Sequence, residues 1–61
     1  MDSSTVISRL KADGWRLQSV KGDHHNFKKA GFRFIVTITH PRKDVPIGQL
    51  KDISKKSGIK F

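Results

Sequence analysis

The chain has 61 residues, no cysteine and no glutamate, and its 13 lysines and arginines against five aspartates give it a formal charge of +8. Without cysteine it has neither disulfides nor thiolate zinc sites, which fits a reducing, cytoplasmic compartment, and no apolar run reaches the roughly 20 residues that span a membrane. A chain this short forms one domain with a thin core, and so much positive charge indicates either a polyanionic partner or simply a solvated basic surface.

The first predicted element is a helix over residues 4–13. Apolar residues at helical spacing follow Ser3 and Ser4, and either serine is a good N-cap because its hydroxyl can accept a hydrogen bond from the first turn. Gly14 stands directly after the apolar pattern, where a glycine ends many helices by adopting a left-handed conformation.

Three strands are predicted next, joined by tight turns. Alternation of apolar and polar residues indicates strands over residues 15–20, 24–29 and 32–39, and glycines mark turns at 22–23 and 30–31. Short turns make successive strands antiparallel, so the three strands are expected to form one antiparallel sheet.

The third strand has the clearest pattern of the three. Phe32, Phe34, Val36 and Ile38 are separated by one residue each, and the segment is rich in β-branched and aromatic side chains. This pattern predicts that Phe32 and Phe34 belong to the core. Pro41 ends the strand because proline cannot donate to a ladder of hydrogen bonds.

A second helix is predicted over residues 47–57. Ile47, Leu50 and Ile53 recur every three residues, and Gly58 closes the segment. Both helices must cover one face of the sheet to bury their apolar stripes, so an α+β fold is predicted, with two helices on one face of a three-stranded antiparallel sheet. The other face is expected to be open and lined by Arg16, Gln18, Arg33, Ile35, Thr37 and one histidine.

Two of the three histidines, His24 and His25, are adjacent in a basic run after the turn at 22–23. Imidazole suits proton transfer near neutral pH, so the pair is a candidate for acid–base catalysis on a phosphodiester; the alternative is two ordinary surface histidines in a hairpin. Adjacent strand residues point to opposite faces, so the two histidines cannot share a metal ion, and no metal or other cofactor is expected. His40, before a proline at a strand end, is interpreted as a structural residue.

Five short motifs are distributed along nearly the whole chain. They are Gly14-Trp15, Gly22-Asp23-His24-His25-Asn26-Phe27, Thr39-His40-Pro41, Val45-Pro46-Ile47-Gly48-Gln49-Leu50 and Ser57-Gly58-Ile59. Each motif is weak alone, but together they resemble the HicA toxins, small mRNA interferases of bacterial toxin–antitoxin pairs. The resemblance implies the α-β-β-β-α fold of double-stranded RNA-binding domains over residues 1–61, cleavage of mRNA with growth arrest, and neutralisation by a HicB antitoxin in a hetero-oligomer.

The resemblance also implies a catalytic histidine in the segment that opens with Gly22, at His24 or His25. Asp23 stands where the family has serine, and its carboxylate would orient a histidine but repel phosphate. Phe27, the one large apolar residue of the second strand, is expected to face the core, so His25 shares its side while His24 faces the open side. His24 is therefore the catalytic candidate and His25 the runner-up.

The chemistry that this assignment implies is metal-independent. The histidine acts as a general base toward a ribose 2′-hydroxyl or as a general acid to the leaving oxygen, which would explain a preference for RNA. Four basic residues are expected to hold the phosphate: Lys21, Lys28, Lys29 and Arg33. The alternative function is that of a non-catalytic RNA-binding module of the same fold, which binds RNA without cleaving it.

Overall fold

The computed structural model describes all 61 residues. Its elements are, in chain order, helix α1 (Ser3–Ala12), strands β1 (Arg16–Lys21), β2 (His24–Lys28) and β3 (Val36–Thr39), and helix α2 (Ile47–Ser57). Both strand pairs are antiparallel and the sheet order is β1-β2-β3, which confirms the predicted α-β-β-β-α arrangement. Neither helix combines the length and the apolar character that crossing a membrane requires.

Asp2, rather than Ser3 or Ser4, is the N-cap of α1, so the sequence-based choice of cap is wrong. The Asp2 carboxylate accepts hydrogen bonds from the Thr5 hydroxyl and, at 3.2 Å, from the Thr5 backbone N–H. Both bonds favour the charged carboxylate, so they hold the pKa of Asp2 below its ordinary value of 3.8. The helix stops before Gly14 as predicted, and the φ of +102° at this residue lies in the region that favours glycine.

Both helices pack on the same face of the sheet, as predicted. The core consists of eight buried residues: Val6, Leu10, Trp15, Phe27, Val36, Ile38, Val45 and Ile53. They come from both helices, from β2 and β3, and from two of the connections, and none is more than 3% exposed. The opposite face of the sheet carries no covering layer, so the polar side chains of the strands are accessible there.

Strand β1 contains a bulge that reverses its alternation. Leu17 pairs with Phe27, but Ser19 pairs with Asn26, so Gln18 is an extra residue without its own partner on β2. Facing residues of paired strands point to the same side of a sheet. Ser19 therefore lies on the open face with Asn26, although uninterrupted alternation from Leu17 would have placed it on the helical face.

The bulge also decides the positions of the last two residues of β1. Val20 pairs with His25 and Lys21 pairs with His24. Lys21 is consequently on the same side of the sheet as His24, while Val20 is on the helical side. A one-residue change of register exchanges the two faces of a strand, and here it brings a lysine next to the candidate catalytic histidine.

Strand β3 begins at Val36, later than predicted, and the prediction that Phe32 and Phe34 lie in the core is wrong. A two-residue turn after β2 would have placed Phe34 opposite Phe27, but Val36 takes that position. The register is displaced by two residues, so Val36 and Ile38 keep their places on the helical face. A shift by two residues keeps the same side chains on each face of the strand, so the alternation of the sequence does not distinguish the two registers. In the observed register Phe32 and Phe34 lie before the start of β3, where they are 38% and 56% exposed.

Helix α2 has the predicted bounds, 47–57. It ends at Gly58, whose φ of +77° is left-handed, and Ile59 then packs against the core as an apolar residue after such a cap often does. Ile47 differs from the prediction because it is 73% exposed. The buried stripe of α2 therefore starts one turn later, at Leu50.

Candidate active site and nucleic-acid interface

His24 occupies the middle of a row of three side chains on the open face of the sheet. It pairs with Lys21 on β1 and with Thr39 on β3, and its side chain is 60% exposed. Facing residues of neighbouring strands have Cβ atoms only about 4.5–5.5 Å apart, so the Lys21 ammonium can reach a ligand that the His24 imidazole also touches. The prediction that His24 lies on the open face is confirmed.

Asp23 precedes His24 in the turn between β1 and β2. Its Oδ1 lies 3.8 Å from Nδ1 of His24, and the two side chains are 64% and 60% exposed. This separation is longer than a hydrogen bond and solvent screens it, so the carboxylate holds His24 only weakly. The backbone is fixed more firmly, because the Asp23 carbonyl accepts a hydrogen bond of 2.8 Å from the His40 N–H.

His25 points to the other side of β2 and is packed rather than free. Its ring meets the ring of His40 edge to face, with centroids 4.9 Å apart and ring planes at 86°. Its cross-strand partners are Val20 and Ile38, of which Ile38 belongs to the core. A ligand on the open face therefore reaches His24 before it can reach His25.

His40 is held in place by a buried serine. Ser3 Oγ lies 2.7 Å from His40 Nδ1 and accepts a hydrogen bond of 2.8 Å from the backbone N–H of Arg42. Ser3 is 1% exposed, so its hydroxyl proton needs an acceptor, and Nδ1 is the acceptor within reach. This pattern assigns the Nε2–H tautomer to His40, and it agrees with the structural role that the sequence indicates.

A chain of side-chain hydrogen bonds crosses the open face beside His24. Asn26 Nδ2 donates to Ser19 Oγ at 3.0 Å, and Thr37 Oγ1 donates to Asn26 Oδ1 at 2.6 Å. This chain of hydrogen bonds cannot be predicted from the sequence, because Ser19 reaches the open face only through the bulge. The sequence does indicate that Asn26 and Thr37 lie on the open face, because both are polar and alternate with core residues.

Two of the predicted phosphate ligands lie on the same face as His24. Lys21 is its direct neighbour, and Lys28 follows four residues along β2, where it pairs with Arg16 at the end of the sheet. All three basic side chains are exposed. The open face thus carries positive charge at both ends of β2, with the polar side chain of Asn26 between them.

The other two predicted phosphate ligands belong to the connection between β2 and β3. Arg33 is exposed there. Lys29 is already engaged, because its ammonium lies 3.1 Å from the Asp13 carboxylate and 5.0 Å from the centre of the Phe32 ring. Lys29 is therefore less available to a phosphate than Lys21, Lys28 or Arg33.

The site offers an acid–base group and cations but no cage for a metal ion. His24 and His25 point to opposite sides, and nowhere do three or more histidine or aspartate side chains lie together in a way that could hold a metal. An exposed imidazole beside an ammonium group can move a proton at a bound phosphodiester while the ammonium neutralises the phosphate oxygens.

Comparison with known proteins identifies the family of the chain. The family described as HicA toxin of bacterial toxin-antitoxin matches residues 3–59. A solved structure described as "HicA3 and HicB3 toxin-antitoxin complex" contains a chain that is 37% identical, with a TM-score of 0.87, and the match covers 100% of this chain and 98% of that chain. No curated protein matches the sequence. The family match spans nearly the whole chain, and the protein belongs to the HicA toxin family of bacterial toxin–antitoxin systems.

Proposed function

We propose that this protein is the toxin of a toxin–antitoxin pair and acts as an endoribonuclease that cleaves mRNA in the cytoplasm and arrests growth. One observation carries the proposal. The exposed imidazole of His24 stands on an open, polar sheet face directly across from Lys21, while the neighbouring His25 is packed against another ring. Membership of the HicA family supports the same activity.

In the proposed reaction the ribose 2′-oxygen attacks the adjacent phosphorus, and the bond between phosphorus and the 5′-oxygen breaks. The 2′-hydroxyl loses a proton and the 5′-oxygen gains one, so the products are a 2′,3′-cyclic phosphate and a 5′-hydroxyl. His24 performs one of these transfers, as base toward the 2′-hydroxyl or as acid toward the leaving oxygen. Water performs the other proton transfer, because His25 faces the helical side and cannot reach the substrate. With a single acid–base residue, we expect a modest turnover.

The basic residues of the open face have the complementary role in this mechanism. Lys21 is adjacent to His24 and stabilises the negative charge on the non-bridging oxygens of the reacting phosphate. Lys28 and Arg33 hold phosphates further along the strand of RNA. Lys29 contributes only when its ion pair with Asp13 opens.

Cleavage of a single-stranded RNA tests the proposal. The wild-type protein should cut the RNA and leave intact the same oligonucleotide with 2′-deoxyribose at the cleaved position. His24→Ala and His24→Gln should remain folded and lose about 10²- to 10⁴-fold in rate, since that is the usual contribution of general acid–base catalysis. A fully active His24→Gln protein would exclude proton transfer by this residue. Wild-type protein that binds RNA without cutting it would show a non-catalytic RNA-binding module.

The proposed partner is a HicB-like antitoxin that neutralises the toxin in a hetero-oligomer. The similar solved structure is a complex of HicA3 and HicB3, and a net charge of +8 favours a partner with an acidic surface. We expect the antitoxin to cover His24 and the open face. Lys21→Glu should weaken the complex, and Lys51→Glu on the outer face of α2 should not. The opposite result in a calorimetric titration would place the antitoxin on the helices.

A further inference from the structure

The connection between β2 and β3 exposes an aromatic ring that the core does not use. A turn follows β2, in which the Phe32 N–H donates to the Lys29 carbonyl at 3.1 Å and Gly31 has a φ of +86°. Residues 33–35 then belong to no strand. Phe34 is 56% exposed and does not belong to the core.

Phe32, two residues earlier, has a clear structural role that Phe34 lacks. Its ring lies 5.1 Å from that of Trp15 at an angle of 57°, and the Lys29 ammonium stands 5.0 Å from its centre. Trp15 is 1% exposed, so Phe32 covers the edge of the core at this residue. Phe34 has no aromatic partner and no cation over its ring.

The charges around Phe34 indicate what can cover it. The segment from Lys28 to Ile35 contains no acidic residue and three basic residues, of which Lys29 is paired with Asp13, and Arg33 is the immediate neighbour of Phe34 in the sequence. An exposed aromatic ring among cations is the arrangement with which proteins bind single-stranded nucleic acid, since a base stacks on the ring while the cations hold the phosphates. Lys28, at the β2 end of this segment, lies on the same face as His24.

The distance along the sheet fits one continuous strand of RNA. Four residues of extended backbone separate His24 from Lys28, which corresponds to about 13 Å. With one phosphate per about 3.4 Å of a stacked strand, this length accommodates about four nucleotides. RNA whose reacting phosphate lies at His24 is therefore long enough to reach the end of β2, where the connection that carries Phe34 begins.

We propose that Phe34 is a stacking platform for a nucleobase of single-stranded RNA, a few nucleotides away from the phosphodiester held at His24. The inference rests on the proposed function, because it assumes that RNA is the ligand of the open face. It adds a contact to the base, which the cations of the face do not supply, and it assigns the RNA a direction across the sheet from His24 toward the β2–β3 connection.

Binding measurements in the His24→Ala background test the platform without cleavage of the probe. The probes are a short single-stranded RNA of mixed sequence and an abasic ribose-phosphate oligomer of the same length. Phe34→Ala should lower the affinity for RNA about 5- to 150-fold, the usual effect of removing one base–aromatic stack, and should leave the affinity for the abasic oligomer unchanged. Phe34→Tyr should restore binding, and Arg33→Ala should weaken the binding of both probes.

Ile47→Ala is the matched control, because Ile47 is an exposed apolar residue, 73% accessible, on helix α2 and away from the sheet, with no basic residue directly before or after it in the sequence. It should change neither affinity. The inference is overturned if Phe34→Ala loses the same affinity for both probes, or if it loses no affinity for RNA. A Phe34→Ala protein that binds RNA normally but has lost affinity for the antitoxin would also overturn it. Loss of wild-type cleavage in His24→Ala tests the proposed function separately, and wild-type protein that does not bind RNA overturns both.

Discussion

The imidazole of His25 meets the imidazole of His40 edge to face, with the ring centroids 4.9 Å apart. Its chain neighbour His24 makes no such contact and is 60% exposed on the other side of the strand. The two adjacent histidines therefore have different surroundings and different expected roles. His25 contributes to packing, and His24 is free to meet a substrate.

His25→Ala should destabilise the protein without removing its activity. Loss of an aromatic pair costs about 0.5–1.5 kcal/mol beyond the area buried, so we expect the free energy of unfolding to fall by about 1 kcal/mol in urea denaturation followed by Trp15 fluorescence. His24→Ala should change it by less than about 0.5 kcal/mol, as is usual for exposed residues. A His25→Ala protein that is stable but inactive would transfer the catalytic role to His25.

Ser3→Ala should destabilise the protein much more than Ser4→Ala. Ser3 Oγ serves both the Arg42 N–H and His40 Nδ1 in a buried position, and removal of a buried partner costs about 1–3 kcal/mol. Ser4 is exposed, so its replacement should stay within about 0.5 kcal/mol. Equal unfolding free energies for the two variants in urea would show that the Ser3–His40 contact contributes little.

RNA binding should depend steeply on salt, and Lys21 should account for one part of the dependence. With about 6–10 phosphate contacts, the affinity falls about 10³- to 10⁵-fold between about 50 and 200 mM salt. Lys21→Ala should lower the slope of log affinity against log salt by about 1, whatever the RNA sequence. Lys55→Ala, on the outer face of α2, is the control and should leave the slope unchanged. Equal slopes for wild type and Lys21→Ala would remove Lys21 from the interface.

Asp2 should make the free energy of unfolding depend on pH through the N-terminus of α1. Its folded pKa is lowered by the hydroxyl and the N–H of Thr5, so the stabilisation is present above the ordinary aspartate pKa and is lost as the pH falls through the lower, folded value. Asp2→Ser keeps a capping oxygen but does not titrate. The stability of the wild type relative to Asp2→Ser should therefore decrease on acidification in urea titrations. A difference that is the same at neutral and strongly acidic pH would contradict the assignment.

RNA cleavage should continue in excess EDTA. No three histidine or aspartate side chains lie together as a metal site requires, and the proposed proton transfers use only His24 and water, with Lys21 stabilising the phosphate. The control is His24→Ala, which should be inactive with and without EDTA. Activity that EDTA abolishes and Mg²⁺ restores would show that the reaction depends on a metal brought in with the RNA.

The parts of the fold that follow from local pattern are predictable from the sequence. The spacing of the apolar residues up to Gly58 gives the bounds of α2, and alternation counted from Phe27 gives the opposite orientations of His24 and His25. Both inferences use residues that are close together in the chain. The catalytic role of His24 stays a prediction.

The features that depend on pairing between distant residues could not be predicted in this way. The displaced register between β2 and β3 obeys the same alternation as a tight hairpin, so the exposure of Phe34 cannot be predicted from the alternation alone. The bulge at Gln18 interrupts β1 without any glycine to mark it. The contact between Ser3 and His40 joins residues 37 positions apart, and no local pattern encodes it.

The bulge at Gln18 has a consequence for how related chains can vary in length. Deletion of one residue at the bulge would give plain alternation and keep Lys21 across from His24, whereas insertion of one residue between Ser19 and Lys21 would reverse the alternation and turn the lysine toward the helices. The connection over residues 29–35 is under no such restriction, because it lies outside the ladder on both sides. Insertions and deletions among homologues should therefore gather between β2 and β3, and insertions should be rare in β1, where a single added codon would separate the histidine from its neighbouring cation.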